Sequence, residues 1–375
     1  MVEWKKLSEI CDIFAGGDLP KNYIKASEPS GKYIYPIYSN GVEEKSLYGY
    51  SDTFRVDKAS ITISARGTIG YHTIREPQFT PIVRLITLIP KNNEIVNLEY
   101  LNEALFLTQI DGTQGGIPQL TVPAVSQIKI PILSLSEQQR IVDILDTFTS
   151  SIKNLKEQIA QRRKQYEYYR DQLLDLEGKP GVEWFELLEL CDYVDYRGKT
   201  PSKVDAGIFL VTAKNIRKGY IDYDNSKEYI SEDDYEEVMH RGKPQIGDVL
   251  VTTEAPLGNV AQIDNENIAL AQRVIKYRPK DERLNSSYLK YILLGSEFQI
   301  RLEKEATGAT AKGIKGSKLH RMHIPLPPLS EQQRIVSIFD TFEASINNLE
   351  QQLAQREKQY EYYRNKLLTF EKEKN

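Results

Sequence analysis

Cysteine is nearly missing from this 375-residue chain: there are two, Cys11 and Cys191. They lie in matching contexts, EWKKLSEICD and EWFELLELCD. That reads as one small buried apolar residue copied by duplication, not as a disulfide pair. Histidine is almost as scarce, with four scattered copies and no metal-ligand spacing. Long apolar runs are lacking as well: none approaches the roughly 20 residues that a membrane helix needs. The opening MVEWKKLSEI has no apolar core of a secretion signal. A cytoplasmic protein without membrane contact, structural metal or cofactor is expected.

An excess of positive charge is missing too. The chain carries a net charge of −4. Residues 1–134 hold 13 basic and 14 acidic side chains, and residues 181–328 hold 21 and 23. Neither part is basic overall, so any nucleic-acid site must be a local patch.

Catalytic signatures are also lacking. There is no G-x-S-x-G and no H-E-x-x-H. Gly308 and Gly313 have the spacing of a phosphate-binding loop, but Ile314 stands where its lysine should be. No strand, glycine-rich turn and helix unit of the dinucleotide type occurs. Asp233, Asp234, Glu236 and Glu237 fall in an acidic stretch that reads as a solvated loop. No catalytic residue is assigned, and the chain reads as a binding protein that lends specificity to something else.

What is present is a repeat. Residues 135–170, LSEQQRIVDILDTFTSSIKNLKEQIAQRRKQYEYYR, return at 329–364 as LSEQQRIVSIFDTFEASINNLEQQLAQREKQYEYYR, with 27 of 36 positions identical. Apolar residues recur at alternating four- and three-residue spacing: Ile141, Leu145, Phe148, Ile152, Leu155 and Ile159. After Arg162 they resume at Tyr166, Tyr169, Leu173 and Leu176. A heptad stripe of this kind marks a helix packed lengthwise on another helix. Ser136 and Ser330 are the expected N-caps, with Gln139 and Gln333 completing capping boxes, and Gly178 is a plausible stop. A helix over 136–177 would be 42 residues, roughly 63 Å long. The two copies are expected to form an intramolecular antiparallel coiled coil acting as a spacer, with dimerisation through the same stripes as the alternative.

The duplication extends over the whole chain. Trp4 and Cys11 recur at Trp184 and Cys191, Gly70 at Gly258, and Tyr100 at Tyr288. Each half is therefore a globular domain followed by its long helix: domains over 1–134 and 179–328, helices over 135–178 and 329–375. Strands are expected at 33–38, 59–64 and 83–89, then at 208–213, 249–253 and 274–277, with helices at 98–107 and 287–305. Glycine-rich loops follow at 112–116 and 307–316. The fold class is mixed α/β (α+β): two globular domains joined by two long antiparallel helices in a pseudo-two-fold tandem repeat.

The proline-flanked LSEQQRIV, present at 135–142 and again at 329–336, resembles the signature of specificity subunits of type I restriction-modification systems. ISARGTIG at 63–70 and FLVTAKNIRKGYI at 209–221 resemble segments of their target-recognition domains. The resemblance covers essentially the whole chain. It implies that each domain reads one half of a split double-stranded DNA target while the helices set the gap. It further implies that two methyltransferase subunits, which carry S-adenosylmethionine, dock on the helices, and that restriction subunits join them. None of those activities would reside in this chain. One departure stands out: Glu254 occupies the place of Arg66, so a contact made by that turn would not be shared.

Base edges are read by Arg, Lys, Asn, Gln, Ser and Thr side chains on loops held by a rigid sheet. The candidates in the first domain are Ser39, Asn40, Arg66, Thr68, Gln114 and Gln119. In the second they are Lys199, Thr200, Lys214, Asn215 and Arg217, then Lys312, Lys315, Lys318 and Arg321, the last four forming a local cationic cluster. Tyr168 and Tyr362 lie off the apolar stripes and are candidates for protein-partner contact. The competing class is a coiled-coil adaptor with two ligand-binding domains and no nucleic-acid role.

Overall fold

The computed structural model describes residues 2–108, 110, 119–196, 201–308 and 312–370. The chain divides into two compact units. The first contains Met1–Lys156 and Gln351–Asn375, and the second Glu157–Glu350.

In the first unit, four strands form an antiparallel sheet in the order Cys11–Ala15, Ile86–Pro90, Ser60–Ile63 and His72–Arg75. Ile61, Ile63 and Leu88 share one face with Tyr100 and Leu101 of the helix Leu98–Leu105, all buried. That core is completed by the start of one long helix, through Ile141 and Leu145, and by the end of the other, through Leu368. A second small sheet orders Tyr23–Ile24, Leu47–Ser51, Tyr35–Tyr38 and Thr80–Pro81.

The second unit repeats the plan. Cys191–Asp195, Val274–Pro279, Val249–Thr253 and Leu257–Gln262 form the matching sheet. Val249, Val251, Ile275 and Tyr277 enter the core that holds Tyr288, Leu174, Ile335 and Phe339. The alternate residues Leu250 and Val274 enter a second core with Leu210, Val211 and Ile268. Period-two alternation therefore feeds two apolar layers here, not one layer and solvent. In each unit a two-stranded ribbon closes the domain, pairing Glu3–Lys6 with Lys129–Ile132 and Glu183–Glu186 with His323–Leu326.

The long helices run Leu135–Leu174 and Leu329–Leu368, 40 residues each, or roughly 60 Å. Within the first unit, Phe148 stacks on Tyr363 (5.2 Å) and Lys156 pairs with Glu357. Within the second, Tyr166 packs edge-on against Phe339 and Phe342, and Arg163 pairs with Glu350. In each unit the numbers rise on one helix as they fall on the other, so the helices are antiparallel. Tyr360 donates to Glu103 (2.8 Å), and burial holds the Glu103 carboxyl above its usual range despite that bond.

Several expectations need correction. The long helices begin one residue before Ser136 and Ser330, and the capping carbonyls are those of Ser134 and Pro328. A proline can cap through its carbonyl alone. Gln139 bonds Asn97 and Asp143, so it forms no capping box. The strand expected from residue 83 begins at Ile86, because Val83 (φ +52°) and Arg84 (φ +62°) are left-handed. The helix expected over 287–305 is two, Ser286–Leu294 and Ser296–Glu305, separated by extended Gly295.

The glutamine that precedes Gln139 has a tertiary role. Gln138 is fully buried; its Oε1 accepts from the Asn97 amide (2.8 Å), and its Nε2 donates to the carbonyls of Ile95 and Leu133. Gln332 repeats every bond, accepting from the Asn285 amide and donating to the carbonyls of Arg283 and Pro327. Asn97 and Asn285 in turn cap the short helices that follow them. Tyr100 and Tyr288 then donate to the carbonyls of Pro131 and Pro325. Each domain is thus clasped to the start of its own long helix by the same set of bonds.

Cys11 and Cys191 are free and buried, and burial pushes both thiols up to about 12. Neither is expected to react with a thiol reagent in the native chain near pH 8, and both should react in denaturant. Rapid labelling of native chain would contradict this packing.

Candidate nucleic-acid interface

The first unit gathers most of its candidates at one place. Strand Ser60–Ile63 runs into a tight turn that Gly67 (φ +70°) and Gly70 (φ +84°) allow. The turn is closed by Gly70 N to Ser64 O (3.0 Å) and by Ser64 Oγ against Thr68 Oγ1 (3.0 Å). Arg66 reaches out of it, exposed, and its guanidinium donates to Gln119 Oε1 (3.0 Å). Asn40 acts as a strut: its Oδ1 accepts from Ala65 N (2.7 Å) and its Nδ2 donates to Val83 O (2.8 Å). Ser39 is held by its amide on Ser46 O. Ser39, Asn40, Arg66, Thr68 and Gln119 therefore belong to one connected group of loops, which also carries Val83 and Arg84. Gln114 lies outside the described residues.

The second unit places its candidates on two loops. In the first, Asn215 is fully buried. Its Oδ1 accepts from Thr212 N and Oγ1, and its Nδ2 donates to the carbonyls of Asp222 and Asn225. All its hydrogen-bonding groups hold the loop, so Asn215 is withdrawn as a base-reading candidate. Arg217 pairs with Asp222 (3.3 Å), and Lys214 is exposed. Lys199 and Thr200 lie outside the described residues.

The second loop is pinned by Thr307 to Gly313 bonds and by Ile314 N to Thr253 O (2.9 Å), beside the turn that carries Glu254. Lys312 pairs with Glu303 (3.5 Å) and Lys318 with Glu305 (2.9 Å). Lys315 and Arg321 are exposed and make no ion pair among the described residues. The cationic cluster is thus half neutralised by its own domain, consistent with the near-balanced charge of the segment.

Tyr168 and Tyr362 occupy corresponding places on the two long helices, each 59% exposed. Each leans edge-on against its neighbour, Tyr169 (5.4 Å) or Tyr363 (5.3 Å), which limits its motion.

Arg84 and Arg273, which lie beside these loops, were not among the candidates read from the sequence. Residue 84 reads as part of a strand, and nothing in its immediate neighbours marks a turn. The only available signal was the recurrence of an arginine before the matching strand in both halves.

Among the described residues no group of His, Cys, Asp and Glu could hold a metal ion, and no helix is long and apolar enough to cross a membrane. The model of the type I restriction modification DNA specificity domain matches residues 1–162 and again 181–357. The chain is 29% identical to the EcoR124I/EcoR124II type I restriction enzyme specificity subunit of Escherichia coli, over 99% of this chain and 95% of that one. In fold it is similar to the S subunit of a type I restriction-modification system from M. genitalium, with a TM-score of 0.60 at 16% identity over 99% and 97% of the two chains. It is also similar to a chain from a study of complex assembly and conformational transition of the type I R-M system (TM-score 0.57, 20% identity, 98% and 96% covered). A duplicated domain, a duplicated helix and a doubled family match leave the adaptor reading without support: this chain belongs to the DNA specificity subunits of type I restriction-modification systems, a non-catalytic recognition component.

Proposed function

We propose that this chain reads a bipartite, asymmetric duplex target. The domain over 1–134 reads one half, the domain over 179–328 reads the other, and the spacer helices over 135–178 and 329–375 fix the gap. The observation that carries this reading is the contrast within the repeat. The clasp of Gln138 and Gln332 is the same bond for bond, whereas the exposed loops differ: Arg66 with Gln119 in one domain, Glu254 with Arg273 in the other. Two like scaffolds with unlike reading surfaces call for two different half-sites.

A 40-residue helix of roughly 60 Å bounds the separation at about 18 base-pair steps of 3.4 Å. In this reading two methyltransferase subunits dock on the helices, with Tyr168 and Tyr362 at corresponding contacts, and restriction subunits join that core in the cytoplasm. Contact with DNA is assigned to Ser39, Arg66, Thr68, Gln114 and Gln119, and to Lys199, Thr200, Lys214, Arg217, Lys312, Lys315, Lys318 and Arg321, with Asn40 as a strut. Repeat symmetry and the assembly studied for one fold relative support the docking.

Co-expression with a candidate adenine methyltransferase subunit, followed by genome-wide mapping of N6-methyladenine, tests the reading. A split motif with two unlike halves that vanishes when this chain is omitted is expected. A palindromic motif, or methylation independent of this chain, would refute it.

A further inference from the structure

Arg84 and Arg273 occupy one position of the repeat. Cys11 faces Pro90 and Cys191 faces Pro279 across matching strand pairs. Each arginine lies six residues before its proline. The equivalence therefore comes from hydrogen-bond register as well as from sequence spacing.

Both arginines are left-handed, at φ +62° and +72°. A Cβ makes that conformation unfavourable, and glycine would adopt it freely. Both are exposed. Yet the chain holds each firmly by different means. In the first unit, Arg84 N donates to Gly16 O (2.9 Å), Val83 N donates to Gly17 O (3.0 Å), and Asn40 grips Val83 O. In the second, Thr253 N donates to Arg273 O (2.9 Å), and Glu254 pairs with the Arg273 guanidinium (2.6 Å). Arg84 has no ion-pair partner among the described residues.

A loop that needed only a left-handed hinge would be served by glycine. Here two loops with different supports both keep a long, forked, exposed cation at the strained point. Asn40 ties this loop to the Arg66 turn in one domain, and Glu254 ties it to the corresponding turn in the other. Strain that persists at a firmly held, exposed backbone position fits a recognition role, and a guanidinium fork matches the O6 and N7 acceptors of guanine.

We propose that Arg84 and Arg273 are specificity-determining residues, each reading a guanine edge in the half-target its own domain faces. In the second domain Glu254 orients the fork. The inference rests on the split-target reading above and names its central side chains.

The test uses the full chain with its methyltransferase partner, in four versions: unsubstituted, Arg84→Gly, Arg273→Gly and the double variant. Methylation motifs and melting temperatures are read for each. Arg84→Gly is expected to relax one G·C position in one half-site, with discrimination falling roughly 5- to 150-fold, and to leave the other half unchanged. Arg273→Gly should do the reverse. Neither should lower the melting temperature, since glycine suits the backbone. Unchanged motifs in both variants, or a uniform loss of methylation with every motif position intact, would overturn the proposal. If the unsubstituted chain directs no split motif, the functional reading itself fails, and the proposal with it.

Discussion

Replacing Asp248 with alanine is expected to destabilise the second unit by about 3–5 kcal/mol, the usual cost of stranding buried charge. Asp248 is 2% exposed. Its two oxygens take the Arg278 fork at 2.6 and 2.7 Å, and Lys276, 4% exposed, lies 3.3 Å away. The Gln245 amide adds a fourth bond. Removing the carboxylate leaves two cations facing each other, one of them enclosed. Burial already holds the Lys276 ammonium below its usual range, and the Asp248 charge opposes that shift. The first unit shows how the site can be built without charge, since strand register places Ser60, Thr87 and Ile89 where Asp248, Lys276 and Arg278 stand. The triple variant Asp248→Ser, Lys276→Thr, Arg278→Ile should therefore recover most of the loss. Urea denaturation of the full chain decides: a single variant within about 1 kcal/mol of the parent would contradict the account.

The second large effect lies at the repeated clasp. Gln332→Ala removes three hydrogen bonds and leaves the Asn285 amide and the carbonyls of Arg283 and Pro327 to find other partners. At about 1–3 kcal/mol for a buried group left unmade, with partial relief by entering water, a loss of about 3 kcal/mol is expected. Gln138→Ala should behave alike in the first unit. Gln332→Glu should be worse than alanine, because a carboxylate oxygen would then face two carbonyls. Hydrogen exchange localises the damage: protection should fall first in Ser286–Leu294 for the one and in Leu98–Leu105 for the other. Uniform loss across both units would show that the clasps do not act domain by domain.

These two sites also mark where the sequence stopped being legible. The repeat, the helix pair and three strands in each domain could be read because they rest on periodicity, and a 40-residue heptad stripe leaves few alternatives; strands such as Cys11–Ala15, His72–Arg75 and Leu257–Gln262 could not. The clasp could not. Serine three residues before glutamine has the spacing of a helix cap, and only the tertiary fold shows that the neighbouring glutamine is pulled inward while the helix starts earlier. Lys276 and Arg278 alternate with Ile275 and Tyr277, a pattern that says one face is wet. That face is covered by the layer built on Leu210 and Ile268, which no local pattern announces. Asn215 failed as a base reader for the same reason: composition marks it as a polar loop residue, and only its bonds reveal that it is the hub of the loop. Val83 and Arg84 read as strand because β-branched and long residues favour strands, whereas the contacts with Gly16 and Gly17 turn the chain there.

The central claim is that two domains of one chain read two unlike half-sites across an unread gap. It is met most directly by binding the chain with its methyltransferase partner to duplexes carrying the mapped motif intact, with the left half scrambled, with the right half scrambled, and with only the gap scrambled, at one fixed salt concentration. Scrambling either half is expected to weaken specific binding by at least about a hundredfold, and scrambling the gap by less than about threefold. Affinity that follows one half alone, or that depends on the gap as strongly as on the halves, would contradict the account.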